Sequence, residues 1–387
     1  MLKNSDQNRV SDTDEVFEHI TKFSLSSGDR ITLHGNYNDW IDQVITDIDS
    51  AKLEISIEMY IFESDGEGLE VAKALKRASK RGVDVKLMVD GLGTRSTPDD
   101  FFEKLLNEGI MVRRYNPVHW WTFLISPGRP LRKRNHRKLI LIDQKIGHIG
   151  GMNFGSSFRE WEDLSLRIKG PFVGELYKSH ACVWSGQLRY SLFLPWRCRG
   201  VCPEIQLLDN FYSDQYSPIK KHYLAAMKKS RKRILLAHGY FFPDKRLRRE
   251  MRKAAKRGVR VEVVVPKESD IPPVSYAARH LYGGLLRNGI HIYEMEGKML
   301  HTKAAVVDDR WLTIGSANLD PISLFSCLEI NVGLRYEPLI GRVAEIIEDY
   351  KLKSRKWDYD AWVSRPFRIK LLGWFWFRLR RWYADWD

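Results

Sequence analysis

A chain of 387 residues has room for about two domains, each with its own core, and its supply of aliphatic and aromatic side chains excludes a disordered polymer. Its 63 basic and 49 acidic residues leave a net charge of +14, which favours an anionic partner, nucleic acid or an anionic membrane; a solvated basic face that only aids solubility gives the same count. Four cysteines, Cys182, Cys198, Cys202 and Cys327, exclude a dense disulfide framework. Cys198 and Cys202 lie close together but have no accompanying His/Cys cluster, so no metal centre is expected there.

The segment from Met1 to Asp14 is polar and lacks the apolar core of a signal peptide. No stretch approaches the roughly 20 apolar residues of a spanning helix, and the greasy run Leu371 to Phe377 is too short. The chain is expected not to cross a bilayer, while remaining able to lie on one. Trp40, Val44, Ile45 and Ile48 fall on one face of a helix. Leu53, Ile55, Ile57, Met59 and Ile61 alternate with Glu54, Ser56, Glu58 and Tyr60, the pattern of a half-buried strand. A helix follows from about Leu69 to Arg81, closed by Gly82, and Val83 to Val89 is the next strand. A helix around Phe101 to Asn107 and a strand from Ile110 to Tyr115 complete an α/β series with a parallel or mixed sheet.

The second half repeats the first. Lys80-Arg81-Gly82-Val83 returns as Lys256-Arg257-Gly258-Val259, and Tyr60-Ile61-Phe62 as Tyr240-Phe241-Phe242. Two copies are too few for a solenoid and indicate two similar domains meeting at a site. The expected division is a polar segment 1–30, a first domain 31–185, a linker 186–208, a second domain 209–355 and a basic, aromatic tail 356–387.

The chemistry lies in a second repeat. His136, Lys138, Asp143, Gly150 and Asn153 recur as His301, Lys303, Asp308, Gly315 and Asn318, each displaced by 165 positions (301 − 136, and so on). His and Lys two apart on a strand share a face. The apolar stretches Leu139 to Ile142 and Ala304 to Val307 continue those strands, and each aspartate sits at the turn beyond. The glycines admit close backbone approach and the asparagines supply directional donors. Two such loops facing each other offer two imidazoles, two ammonium groups and two amides, a receptor for one phosphate flanked by acid–base groups. A metal held by His136, Asp143, His301 and Asp308 is possible on residue type, but two lysines in the cluster would repel it, so no metal and no organic cofactor is expected. Asp163 and Glu329, 166 positions apart, are candidates to orient the histidines through their second ring nitrogens; plain ion pairing is the alternative.

The doubled HxKxxxxD motif with its glycine-rich loop ending in Asn resembles the phospholipase D superfamily over about Asp39 to Tyr350. Trp161-Glu162-Asp163, Ile168-Lys169-Gly170-Pro171, Ala317-Asn318-Leu319-Asp320-Pro321 and Leu328-Glu329 resemble bacterial cardiolipin synthases of the short type, without N-terminal membrane helices. The resemblance implies two phospholipase-D-like α/β domains, each a mixed sheet flanked by helices, with the active site at their interface. It also implies catalytic His136, Lys138, Asp143, His301, Lys303 and Asp308, a covalent phosphatidyl-histidine with His136 as nucleophile, and substrate-binding or orienting roles for Asn153, Ser316 and Asn318. Gly151 replaces the serine that the second copy has at Ser316, so unlike half-sites are expected.

The superfamily also contains nucleases using the same residues. From Gly109 to His136 is 27 positions and from Gly289 to His301 is 12, so the first half carries 15 extra residues (27 − 12), including Trp120, Trp121 and Phe123 followed by Arg129, Arg132, Lys133 and Arg134. An apolar tip backed by cations suits the lipid interface, as does the tail around Trp374, Phe375 and Trp376; packing onto the protein is the alternative for both. The expected partners are a membrane surface and anionic phospholipids, phosphatidylglycerol and cardiolipin, rather than nucleic acid. The resemblance implies a peripheral place on the cytoplasmic face of a bacterial inner membrane.

Overall fold

Leu139 and Leu141 pack into one apolar core while Ile140 and Ile142, between them, pack into another. That is the two-residue period of a strand buried on both faces, and it accounts for the uninterrupted run Leu-Ile-Leu-Ile. In the computed structural model, which describes residues 20–118, 133–188, 204–211 and 217–383, the same sorting recurs at Ala304 and Val306 against Ala305 and Val307.

The first half contributes β1 (Ile20–Ser24), β2 (Arg30–His34), β3 (Glu54–Met59), β4 (Asp84–Asp90), β5 (Met111–Tyr115), β6 (Arg134–Asn135), β7 (Leu139–Ile142), β8 (Ile146–Gly150) and β9 (Ser165–Lys169). The second contributes β10 (Ile205–Asn210), β11 (Arg233–His238), β12 (Arg260–Pro266), β13 (Ile290–Met295), β14 (Lys303–Val307), β15 (Trp311–Gly315), β16 (Cys327–Leu334) and β17 (Ser354–Trp357). The sheet orders β2-β9-β8-β7-β3-β4-β5 and β10-β16-β15-β14-β11-β12-β13 are the same topology twice. In each, three strands are parallel (β3-β4-β5, β11-β12-β13) and the others antiparallel. β1 is added at one edge of the first sheet and β17 at the opposite edge of the second.

The helices are α1 (Tyr37–Ser50), α2 (Gly66–Lys80), α3 (Asp99–Asn107), α4 (Val173–Trp184), α5 (Pro218–Lys229), α6 (Lys245–Lys256), α7 (Pro272–His280), α8 (Tyr282–Leu286), α9 (Glu337–Leu352), α10 (Tyr359–Val363) and α11 (Phe367–Tyr383). One core joins α1, α2 and α3 to the outer face of the first sheet, and another joins α5, α6 and α8 to that of the second. A third is shared: Leu33, Leu141, Ile149 and Leu166 of the first sheet pack with Ala304, Leu312, Ile314 and Ile330 of the second. The sheets therefore face each other, which brings the two motifs to one interface. Gly82 and Gly258 adopt φ of +85° after α2 and α6, the left-handed helix ends that their repeated Lys-Arg-Gly-Val sequence predicts.

β3 is not half-buried. After the partly buried Glu54, its other polar members Ser56 and Glu58 are inside the protein, and Leu53 is 66% exposed before the strand begins. Partners compensate the buried charge: Asn135 donates to Glu58 Oε2 at 2.7 Å, His180 Nδ1 lies 2.8 Å from Oε1, and the Arg137 guanidinium lies 3.6 Å away. Burial alone would raise the Glu58 carboxyl, but Arg137 and His180 outweigh it and hold it below its usual value. Arg137 continues to Ser179 and so to Asp209 on β10, linking the segment beneath His136 to the second domain.

Candidate active site

Each histidine is stitched to the domain it does not belong to. β6, just before His136, pairs in parallel with Cys327–Leu328 of β16, and the His136 backbone N–H donates to the Leu328 carbonyl at 3.0 Å. Reciprocally, the N–H groups of His301 and Thr302 donate to the Glu162 carbonyl at 2.9 and 3.1 Å. The residue after each anchor is an orienting carboxylate. His301 Nδ1 is 2.6 Å from Asp163 Oδ2, and His136 Nδ1 is 2.9 Å from Glu329 Oε1. Each histidine thus takes its carboxylate from the other domain. Where Nδ1–H is donated to the carboxylate in its ionised form, Nε2 is the ring nitrogen left for chemistry.

The lysines complete the cluster. Lys138 Nζ donates to the His136 carbonyl at 2.8 Å, and Lys303 Nζ donates to the His301 carbonyl while lying 2.7 Å from its Nδ1. Burial, together with each other's charge at Lys138, lowers their ammonium groups to about 7 for Lys138 and about 8 for Lys303. Burial and both lysines hold His136 well below the ordinary imidazole value, and burial and Lys303 bring His301 to about 4 despite Asp163. An anion between the lysines would remove the repulsion that suppresses histidine protonation.

The two carboxylates are electrostatically unlike. Burial pushes Asp163 up, but Lys303 at 3.8 Å and His301 outweigh it, so Asp163 stays below its usual range. Burial carries Glu329 to about 8 against the opposing pull of Lys138 and the Ser316 hydroxyl. The Ser316 hydroxyl donates to Glu329 Oε2 and accepts from the Ile330 N–H at 3.0 Å. Ser316 therefore orients Glu329 through its hydroxyl. Gly151 is what the opposite half-site requires: a Cβ there would meet Asp163 Oδ1 at 2.3 Å.

Asn153 and Asn318 are buried, and their Oδ1 atoms accept from the Ile61 and Tyr240 N–H groups at 3.2 and 3.0 Å. This ties each glycine-rich loop to the repeated Tyr-x-Phe segment and leaves Nδ2 as the donor end. Asp143 and Asp308 do not join the cluster, against expectation. Asp143 accepts from the N–H groups of Lys52, Leu53 and Glu54, and Asp308 from those of Arg231, Lys232 and Arg233. Five residues of extended chain put each about 16 Å from its lysine. Both sit in left-handed turns, φ +51° and +53°, where they cap the start of the neighbouring strand.

Aromatic rings at the site were not assigned from sequence. The Tyr60 ring lies 4.6 Å from His136 and under Lys138 Nζ at 5.0 Å, and the Trp161 ring lies 4.9 Å from His301. The repeat of Tyr60 at Tyr240 was the available signal; Tyr240 donates to Asp270.

Trp120, Trp121 and Phe123, and the Cys198/Cys202 pair, lie outside the described residues. In α11, Trp374 and Phe375 are 48% and 49% exposed and Trp376 is half-buried. The helix lies against α7, with Gly373 close to the Tyr276 carbonyl and Phe377 on His280 and Phe242. Among the described residues, no helix is long and apolar enough to cross a membrane.

Comparison with known proteins agrees with the doubled site. Residues 44–181 and 223–351 both match the family described as cardiolipin synthase, phospholipase-D-like domain. Cardiolipin synthase B of Escherichia coli K12 is 32% identical over 325 residues, covering 80% of this chain and 78% of that protein. The major cardiolipin synthase ClsA of Bacillus subtilis is 28% identical over 350 residues, covering 86% and 71%. A phosphatidylserine synthase structure from Haemophilus influenzae shares the fold with a TM-score of 0.70 at 15% identity, covering 93% and 95%. With both halves matched and both His-Lys motifs intact, the chain belongs to the cardiolipin synthase family of phospholipase-D-like proteins.

Proposed function

We propose that the protein is a phosphatidyltransferase that converts two phosphatidylglycerol molecules to cardiolipin and glycerol at a membrane surface. The observation that carries this reading is the reciprocal pairing of His301 with Asp163 and of His136 with Glu329 around two lysines. In the proposed first step, His136 Nε2 attacks the donor phosphorus and the bond to the headgroup glycerol oxygen breaks. His301 Nε2–H protonates that oxygen, giving free glycerol and a phosphatidyl-histidine. In the second step His301 takes the proton from a hydroxyl of the acceptor phosphatidylglycerol, whose oxygen attacks phosphorus as the P–N bond breaks. Lys138 and Lys303 offset the charge on the non-bridging oxygens. The chemistry needs no metal in this scheme. Cardiolipin as the product is supported by the relatives' names, phosphatidylglycerol is the substrate we propose for making it, and the basic, aromatic surface of α11 supports the membrane.

Labelled phosphatidylglycerol in mixed micelles tests the reading. Chromatography should show cardiolipin and glycerol in equal amounts. Phosphatidic acid alone would make the protein a hydrolase, and turnover of an oligonucleotide but not of lipid would make it a nuclease.

A further inference from the structure

A second anion-receptive place lies outside the catalytic cluster. Between α7, α10 and α11 runs a groove of about 420 Å³ whose lining includes Arg279, His280, Arg365, Lys370, Trp362 and Trp374 and, among the described residues, no carboxylate. Arg279 is already committed: its Nε donates to Glu294 at 2.8 Å and its guanidinium also donates to the Lys267 carbonyl. Arg365 is different. Its Nε donates to the Trp362 carbonyl at 2.9 Å, its guanidinium sits over the buried Trp362 ring, and among the described residues no carboxylate bonds to it. Burial lowers it to about 10 against the opposing pull of Glu294, which is itself bonded to Arg279. Lys370 is exposed on the first turns of α11, a helix with no Asp or Glu in its 17 residues.

The rim of the groove is greasy. Phe367, Leu371, Trp374 and Phe375 are 74%, 48%, 48% and 49% exposed. A free anion would use the cations and leave this surface in water. A phospholipid uses both, with its phosphate on the cations and its chains along the apolar face. Further along, α11 reaches the segment next to the second glycine-rich loop: Phe377 packs on Phe242 at 5.8 Å, two residues beyond Tyr240, whose N–H donates to Asn318.

We infer that this groove binds the phosphate of an anionic glycerophospholipid from a bilayer surface, with Arg365 and Lys370 as the receiving cations and Trp374 flanking the chains. The lipid held here is a docking ligand distinct from the reacting ones, and it seats the second half-site against the bilayer. The inference rests on the reading of the protein as a phospholipid enzyme.

The full chain and its Arg365→Gln/Lys370→Gln variant should be compared by co-sedimentation with vesicles of phosphatidylcholine, with and without added phosphatidylglycerol. The wild type should prefer the phosphatidylglycerol vesicles, and the variant should bind them about tenfold more weakly, since each surface cation contributes several-fold. Binding to phosphatidylcholine alone should be unchanged. Turnover of a short-chain, monomeric phosphatidylglycerol, which reads the catalytic site and the fold independently, should be retained; absence of that turnover in the wild type would sink the catalytic reading instead. Equal binding of wild type and variant to phosphatidylglycerol vesicles overturns the inference. So does full displacement of the wild type by millimolar inorganic phosphate with no effect in the variant, which would make the groove a free-anion site, and so does a wild-type dimer that the variant loses, which would assign it to a second copy of the chain.

Discussion

Asp163 of the first domain and His301 of the second meet at 2.6 Å, with Lys303 3.8 Å from the same carboxylate oxygen. The reciprocal contact of Glu329 with His136 has a serine hydroxyl on the carboxylate's other oxygen. The two orienters should therefore respond differently to loss of charge. Asp163→Asn removes a carboxylate held in its ionised form and should lower kcat by on the order of 10²–10⁴-fold with little change in KM. Glu329 is raised to about 8, so below that pH it is mostly protonated in the empty site and a glutamine resembles it. Glu329→Gln should be close to wild type at pH 6.5, and its deficit should widen as the pH rises through 8 and the wild-type carboxylate ionises. A constant variant-to-wild-type rate ratio between pH 6 and 9 would remove this assignment.

The division of labour between the histidines can be read from trapped enzyme. His136→Ala should form no covalent adduct. His301→Ala should still form some from a donor with a good leaving group, because only leaving-group protonation is lost, a step typically worth 10²–10⁴-fold. Mass spectrometry of acid-sensitive, base-stable adducts should locate the phosphoramidate on His136; finding it on His301 would exchange the roles.

Restoring apparent symmetry at the glycine-rich loops should be harmful. A side chain at position 151 would stand 2.3 Å from Asp163 Oδ1 and 2.7 Å from its Cγ. Gly151→Ser should therefore push the carboxylate off His301 and cost about a hundredfold or more in kcat, approaching Asp163→Asn. Ser316→Gly loses the hydroxyl's hydrogen bond to Glu329 and the one it accepts from the Ile330 N–H, but leaves Glu329 on His136, and should cost only about tenfold. The reverse order of the two losses would count against the packing argument.

Asp308 should behave as a structural residue. Asp308→Ala removes three backbone hydrogen bonds, roughly 2–4 kcal/mol with partial solvent replacement, and should lower Tm by about 5–15 °C. At a temperature where the variant is folded, kcat should lie within about threefold of wild type. A large kcat loss with unchanged Tm would return Asp308 to the chemistry.

The repeat of the motif at a constant displacement made the doubled domain and the His-Lys cluster legible in the sequence, because a register shared by five positions requires a shared backbone. The crossed pairing of the dyads was not legible: it depends on β6 pairing with β16 and on Glu162 receiving the His301 N–H, contacts between segments 138 or more residues apart. The motif aspartates were misread because a one-dimensional pattern cannot say how far along a strand the chemistry ends. Glu58 was misread as solvent-facing because alternation looks the same whether the polar face meets water or buried partners; the partners Arg137 and His180 sit far away in sequence.

The core shared between the two sheets has a consequence for how activity arises during synthesis. Leu33, Leu141 and Leu166 cannot bury their inner faces until Ala304, Leu312 and Ile330 have been made. A chain halted between the domains would show water an apolar sheet face and carry one histidine without its carboxylate. The finished sandwich closes that face and completes both dyads in one docking event. Whatever chemistry the two dyads carry is thereby withheld from incomplete chains, because the contact that buries the sheet faces is also the one that completes the site.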